Sequence, residues 1–268
     1  MTIDEIPVFI PTLGRPTLPQ LLDSLKGYQA IPVYGSEPIR QIIADATKSD
    51  CEFLAIMDDD ATPKPTWFAV ALEAMQDKTV AFVSGPLVNS RDHMGRIVES
   101  SFLGSFRMRD IWRIGKDGDA ENRAPCMGLF RRIPFLEATR EISPNLHGFD
   151  IRVMAWFKAH GWKIEYRQAM ASDHPARTTL RQFFLQKHQN GRDRAHYFRA
   201  FPKEAIKKPY FMLPVLFCGL VLWWPWGEVG LGIYVLAIIQ TTGKPQTIPW
   251  FMANHLGYAL GFLRGLIE

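Results

Sequence analysis

The chain lacks the signals of several large protein classes. Its three cysteines are far apart and form no C-x-x-C pair, which excludes a disulfide framework and a cysteine-ligated zinc site. The first residues are acidic and lead into only a short apolar stretch, so we expect no signal peptide and reduced cysteines in the cytosol. No glycine-rich loop follows the first apolar run, which argues against dinucleotide-binding dehydrogenases and P-loop enzymes.

The overall composition is ordinary, but its distribution along the chain is uneven. The 268 residues are 47% hydrophobic and 22% charged, with a net charge of +4. Basic residues are concentrated between positions 177 and 208, interleaved with aromatic ones, and an apolar region follows. Clustered positive charge beside apolar sequence favours an anionic membrane surface, so we expect a membrane partner and no nucleic acid.

An apolar run that ends in three carboxylates is the most informative stretch. Residues 53–57 read as a buried strand, and Asp58, Asp59 and Asp60 follow it directly. Open α/β sheets bind ligands at the carboxyl ends of their strands. Oxygen ligands at such a position suit Mg²⁺ or Mn²⁺ bound together with a diphosphate. The alternative is a solvated acidic turn.

Strands alternate with helices around this stretch and predict an α/β fold with a doubly wound, mostly parallel sheet. Pro11 and Thr12 are expected to end the first strand, and Arg40, in the first turn of the second helix, is either a phosphate ligand or a solvated side chain. The polar residues 88–123 are interpreted as loops and irregular strands that shape an acceptor cleft. Apolar runs and helical stripes extend over these segments: strands at 6–10, 31–34, 80–83, 127–130 and 162–166, and helices at 18–25, 39–46, 67–75 and 153–157.

Two polar features interrupt the second half of this pattern. Arg131 and Arg132 are predicted to form a basic turn after a strand. Asp150 opens a helix, where an aspartate most often serves as the N-cap.

Together, the short motifs and their order resemble the family 2 glycosyltransferases, in particular the membrane-attached branch that assembles exopolysaccharides. The resemblance covers residues 6–200 and implies an A-type glycosyltransferase domain that transfers sugars from nucleotide donors with inversion. The matching motifs are Ile10-Pro11-Thr12, residues 21–25, residues 57–60, residues 128–132, Gly148-Phe149-Asp150, residues 161–166 and His174-x-x-Arg177-x-Thr179.

The resemblance implies roles for individual residues. Asp60 would be the direct metal ligand, with Asp58 and His174 completing the site, and Asp150 would be the general base that deprotonates the acceptor hydroxyl. The implied donor-binding residues, including Arg177 as a diphosphate clamp, are Pro11, Thr12, Glu37, Arg40, Asp58, Asp59 and Arg177.

The chain departs from the family pattern at two places. Phe149 stands where the family usually has Glu, and apolar surroundings would raise the pKa of Asp150. The second strand and the acidic loop that reads the nucleotide base are compressed between Leu25 and Arg40, where Glu37 is expected to replace the missing Asp.

The C-terminal region predicts membrane attachment. Residues 210–226 and 229–242 are uncharged, although a full crossing needs about 20 apolar residues. A tilted hairpin, a re-entrant pair and a soluble core hairpin remain possible, and residues 248–266 are expected to form an interfacial or membrane helix. We therefore divide the chain into a catalytic domain (1–180), a basic interfacial neck (181–209) and a membrane region (210–268).

The sequence thus predicts a metal-dependent inverting glycosyltransferase of the hexosyltransferase type. Its catalytic domain would lie on the cytoplasmic face of the inner membrane, because the positive segment precedes the apolar region. The expected partners are a nucleotide-sugar donor and a lipid-linked saccharide or polyprenyl phosphate acceptor. The alternatives are a nucleotidyltransferase of the sugar-phosphate class and a non-catalytic membrane scaffold with the same fold.

Overall fold

The structure is a computed structural model that describes residues 5–12, 14–89, 118–119, 127–144, 148–174, 179–200, 202–203, 219, 232 and 248–268. Its contacts divide the chain into two compact units. Residues 1–88 and 113–175 form the first unit, and residues 89–112 and 176–268 form the second. Each unit is described separately below.

The first unit alternates strands and helices. Its strands are β1 (Pro7–Thr12), β2 (Gln29–Tyr34), β3 (Phe53–Met57), β4 (Thr62–Pro63), β5 (Val80–Ser84), β6 (Leu87–Asn89), β7 (Gly118–Asp119), β8 (Met127–Arg131), β9 (Lys163–Tyr166) and β10 (Ser172–His174). Its helices are α1 (Leu18–Ser24), α2 (Pro38–Lys48), α3 (Trp67–Ala74), α4 (Arg132–Glu141) and α5 (Phe149–Ala159), and a short 3₁₀ turn spans Gln168–Met170.

Seven strands form one mixed sheet in the order β2-β1-β3-β8-β5-β9-β7. Strands β2, β1, β3, β5 and β9 run in one direction, whereas β8 and β7 run antiparallel to their neighbours. The expected mixed α/β fold with a mostly parallel sheet is therefore confirmed. A second sheet of three short strands has the order β4-β10-β6.

Helices pack on both faces of the large sheet, because its central strands are apolar on both sides. Along β3, Ala55 and Met57 belong to the core that contains α1 and α3, whereas Leu54 and Ile56 belong to the core that contains α2, α4 and α5. Helices α1 and α2, which connect β1 to β2 and β2 to β3, therefore lie on opposite faces. The carboxyl ends of the parallel neighbours β1 and β3 lie at the same edge of the sheet. Open α/β sheets bind ligands at this edge.

The predicted end of the first strand is wrong. β1 continues through Pro11 and Thr12, which pair with Val33 and Tyr34 of β2. The register with β3 includes only Val8 and Phe9. The proline therefore lies where β1 pairs on one side only, and its missing N–H removes no ladder hydrogen bond on the other side.

The predicted basic turn at Arg131 and Arg132 is also wrong. Arg131 is the last residue of β8, and Arg132 begins α4, a helix that the sequence pattern did not reveal. The Arg131 side chain is buried, and its guanidinium donates to the carbonyl oxygens of Val80 at 3.1 Å and Met75 at 2.7 Å and to the Glu52 carboxylate. Arg131 thus joins β8 to the segment between α3 and β5.

Replacing Arg131 with Met should lower the free energy of unfolding by about 2–4 kcal/mol, because buried carbonyl groups would lose their donor. Urea denaturation measures this difference. Arg140→Met, on the exposed side of α4, is the control and should leave stability nearly unchanged. Equal stability of the two variants would contradict a structural role for the buried guanidinium.

The second unit contains two long helices, α6 (Leu180–Ala200) and α7 (Ile248–Ile267), whose backbones approach each other closely. Glycines on both helices permit this approach. A Cβ atom on Gly261 would lie 1.8 Å from the carbonyl oxygen of His188, and one on Gly191 would lie 2.0 Å from that of Tyr258. The spacing Gly257-x₃-Gly261-x₃-Gly265 is the small-residue pattern that brings membrane helices into contact.

Lys187 and His255 are buried on these two helices. Burial lowers the pKa of Lys187 to about 8. Burial and the nearby Lys187 charge lower the pKa of His255 to about 4, so that the imidazole is neutral at physiological pH. The Lys187 ammonium lies 4.9 Å from the centre of the Phe183 ring, a cation–π distance that partly replaces its lost hydration.

The outward face of α7 is mostly apolar, with Arg264 as an exposed charged side chain in its last turn. Large apolar side chains on this face are 38–87% exposed; they are Met252, Leu256, Leu260, Leu263, Leu266 and Ile267. Within the described parts of the chain, no helix combines the length and hydropathy needed to cross a bilayer. The uncharged residues 210–226 and 229–242 lie outside the described residues, apart from Gly219 and Gly232.

Candidate functional site

The acidic triplet lies at the edge of the sheet where β1 and β3 end. The two strands are parallel neighbours, so their carboxyl ends lie at the same edge of the sheet. Asp58 is half-buried, whereas Asp59 and Asp60 are only 4% and 7% exposed. Burial of two adjacent carboxylates requires compensating partners, which distinguishes this site from a solvated acidic turn.

Asp59 is held by the loop that follows β1. Its Oδ2 accepts a 2.6 Å hydrogen bond from the Thr12 hydroxyl, and its backbone oxygen accepts one of 2.9 Å from the Thr17 hydroxyl. The Thr12 Oγ1 in turn accepts from the backbone N–H of Gly14 at 2.9 Å. Gly14 has φ of 76°, a left-handed conformation that favours glycine and turns the loop toward the triplet.

Arg15, in the same loop, was not among the site residues predicted from the sequence. Its guanidinium forms an ion pair with Asp60 through Nη1, and its Nε lies 3.4 Å from Asp59 Oδ1. Arg15 remains 42% exposed in its side chain, so it reaches the buried carboxylates from the solvent side. Its position three residues after a strand that ends beside the triplet is the sequence signal that could have indicated this contact.

The triplet suits a hard divalent cation. The donor atoms are carboxylate oxygens, the preferred ligands of Mg²⁺ and Mn²⁺, and Asp60 already holds a cationic guanidinium. In the part of the chain that the structure describes, no three His, Cys, Asp or Glu side chains are grouped as a metal site. Mg²⁺ in nucleotide enzymes commonly uses one or two carboxylates together with substrate phosphates, so two aspartates are sufficient.

The backbone of His174 ends β10 close to the triplet. Ser172 pairs with Pro63 and Asp173 with Thr62 in an antiparallel register. Continued by one residue, this register places His174 opposite Ala61, which directly follows Asp60. The predicted role of His174 as a metal ligand stays a prediction.

Asp150 lies in the first turn of α5 and is half-buried. It is not the N-cap residue, because Gly148 occupies that position with φ of 68°. A negatively charged side chain in a first helical turn interacts favourably with the helix dipole. Phe149 packs against the core beside it, as the apolar departure from the family pattern suggests.

The remaining predicted donor residues are placed as follows. Pro11 precedes Thr12 at the end of β1. Glu37 is the N-cap residue of α2, and its carboxylate lies 3.2 Å from Nη1 of Arg40 one turn later. Arg177 and most of residues 88–123, the predicted acceptor cleft, lie outside the described residues.

The mixed, mostly parallel sheet with helices on both faces matches the fold of A-type glycosyltransferases. A mannosyltransferase from Pyrobaculum calidifontis, solved with GDP-mannose and Mn²⁺, superposes with a TM-score of 0.55 and 14% identity over 97% of this chain and 87% of that one. Glucosyl-3-phosphoglycerate synthase from Mycobacterium tuberculosis, solved with Mn²⁺, UDP and phosphoglyceric acid, gives a TM-score of 0.46 and 13% identity over 72% and 77% of the two chains. No protein-family model and no curated protein matches the sequence. The likeness to the mannosyltransferase establishes the fold.

Proposed function

We propose that the protein is a metal-dependent inverting glycosyltransferase of the hexosyltransferase type, from the exopolysaccharide branch of family 2. It would transfer a sugar from a nucleotide-sugar to a lipid-linked saccharide or polyprenyl phosphate at the cytoplasmic face of the inner membrane. The carrying observation is the buried pair Asp59 and Asp60 at the carboxyl ends of β1 and β3. The fold shared with a nucleotide-sugar enzyme supports the same assignment.

The acidic triplet would bind the donor's diphosphate. Asp60 and Asp58, with His174, would hold Mg²⁺ or Mn²⁺, which neutralises the leaving diphosphate. Asp59 keeps the loop after β1 in contact with the site through Thr12. Arg177 would supply a bidentate contact to the diphosphate, and Glu37 and Arg40 would contact the nucleotide.

Asp150 would perform the proton chemistry. In a single displacement, the acceptor oxygen attacks the anomeric carbon while the bond from that carbon to the diphosphate oxygen breaks, which inverts the configuration. The proton of the acceptor hydroxyl passes to the Asp150 carboxylate.

A thermal-shift screen of nucleotide-sugars with and without Mn²⁺ tests the proposed function. A ligand that binds only the native state raises the unfolding temperature. We expect one class of nucleotide-sugar to raise the unfolding temperature of the protein, and to do so only when Mn²⁺ is present. The absence of any metal-dependent shift across uridine, guanosine and thymidine sugars would contradict the assignment.

The second unit supports the membrane part of the proposal. The exposed apolar side chains of α7 extend from Met252 to Ile267, over about four turns, and α6 carries the exposed basic residues Arg181 and Arg199. An apolar helix face accompanied by positive charge suits the interface of an anionic bilayer.

Replacing both Leu256 and Leu260 with Glu should weaken binding to phosphatidylglycerol vesicles by about tenfold or more, because two charged groups would enter the apolar layer. Co-sedimentation of the full chain measures the partitioning. Ile133→Glu changes an equally exposed residue on α4 and should bind as the wild type does. Wild-type partitioning of the double variant would assign the membrane contact to another part of the chain.

A further inference from the structure

Arg15 occupies the position in which a donor-bound cation would be expected. Its Nη1 donates to Oδ2 of Asp60, and its Nε lies near Oδ1 of Asp59. Both aspartates are buried, so an unpaired charge there would be costly. Arg15 therefore acts as the counterion of the triplet in this structure.

The loop that carries Arg15 is held by other contacts. Thr12 and Thr17 both donate to Asp59, and Gly14 donates to Thr12. None of these hydrogen bonds involves the Arg15 side chain, which is 42% exposed. The guanidinium can therefore leave the carboxylates without disrupting the loop.

A divalent cation on Asp60 would compete with Arg15 for the charge of the same carboxylate. Two positive groups on one carboxylate repel each other, so metal binding favours movement of the guanidinium away from Asp60. A diphosphate that arrives with the metal offers the displaced guanidinium a new anionic partner, which its planar fork binds in bidentate geometry.

We propose that Arg15 is an exchangeable counterion. It neutralises Asp59 and Asp60 when no donor is bound, and it moves to the diphosphate of the donor when the metal–nucleotide complex binds. This inference rests on the proposed function. It implies that metal alone binds weakly and that a nucleoside diphosphate strengthens metal binding, because only the diphosphate compensates the displaced Arg15.

Calorimetric titration of Arg15→Gln with Mn²⁺ alone, and with Mn²⁺ in the presence of UDP or GDP, tests this exchange. We expect the variant to bind Mn²⁺ alone about tenfold more tightly than the wild type, and the strengthening by nucleoside diphosphate to shrink by a similar factor. Lys26→Gln removes an exposed charge that pairs with Asp23 and should behave as the wild type does. A gain in affinity cannot arise from a folding defect, which would weaken binding.

Arg15→Lys gives a second readout. The lysine keeps the positive charge but lacks the planar guanidinium, so Mn²⁺ alone should still bind weakly. The increase in Mn²⁺ affinity caused by UDP or GDP should become smaller, because the lysine cannot bind the diphosphate in bidentate geometry. Unchanged or weaker binding of Mn²⁺ alone by Arg15→Gln would overturn the exchange while leaving the proposed function intact, provided that the wild type binds nucleotide with Mn²⁺. If neither protein binds Mn²⁺ under any condition, both proposals are wrong.

Discussion

Asp60→Asn should abolish Mn²⁺-dependent nucleotide binding, with a loss of affinity of at least about 100-fold. The amide preserves the volume of the side chain and one oxygen but removes the negative charge that would hold the cation. Because Asp60 is buried next to Asp59, the loss of one of two adjacent charges should not prevent folding. Calorimetric titration of Mn²⁺ in the presence of UDP or GDP measures the affinity.

The control for Asp60→Asn is Asp45→Asn on the exposed face of α2. Asp45 accepts hydrogen bonds from Gln41 on the same helix, so the variant makes the same chemical change away from the acidic triplet. Its nucleotide binding should match that of the wild type. Metal-dependent binding retained by Asp60→Asn would exclude Asp60 from the metal ligands.

Asp150→Asn should reduce sugar transfer by at least about 100-fold, the usual contribution of a general base, while nucleotide-sugar binding remains unchanged. The amide cannot accept the proton of the acceptor hydroxyl. Single-turnover transfer and calorimetric donor binding, measured on the same preparation, separate the two effects. An active Asn variant would exclude this role.

The pH dependence of transfer separates a base from a structural residue. If the Asp150 carboxylate accepts the proton, wild-type transfer should fall as the pH decreases and the carboxyl group becomes protonated. The residual activity of Asp150→Asn should lack this acid limb. A retained acid limb in the variant would assign the titrating group to another side chain, even if transfer is slow.

Much of the first unit follows from local sequence patterns. The buried strand at residues 53–57 and the helices around Ile42 and Trp67 were predicted because apolar periodicity reports which faces enter a core. Helix α4 was missed because Pro134 and the charges around it obscure its pattern, although proline is compatible with a first helical turn.

Only part of the candidate site could be predicted, because one of its contacts joins residues that are far apart in the sequence. The position of the triplet at a strand end follows from the order of residues along one segment. The contact between Arg15 and Asp60 joins residues 45 positions apart and depends on the turn at Gly14. Such long-range contacts leave no periodic pattern, so the counterion of the triplet became visible only in the fold.

The glycines between α6 and α7 bear on how this helix pair responds to its surroundings. Contacts such as that of Gly261 with the His188 carbonyl oxygen are backbone-to-backbone van der Waals contacts, which do not depend on the release of water from apolar surface. Their attraction persists in hydrocarbon as it does in water. The pair can therefore keep one internal geometry in water and in hydrocarbon, with no refolding of the two helices between the two environments.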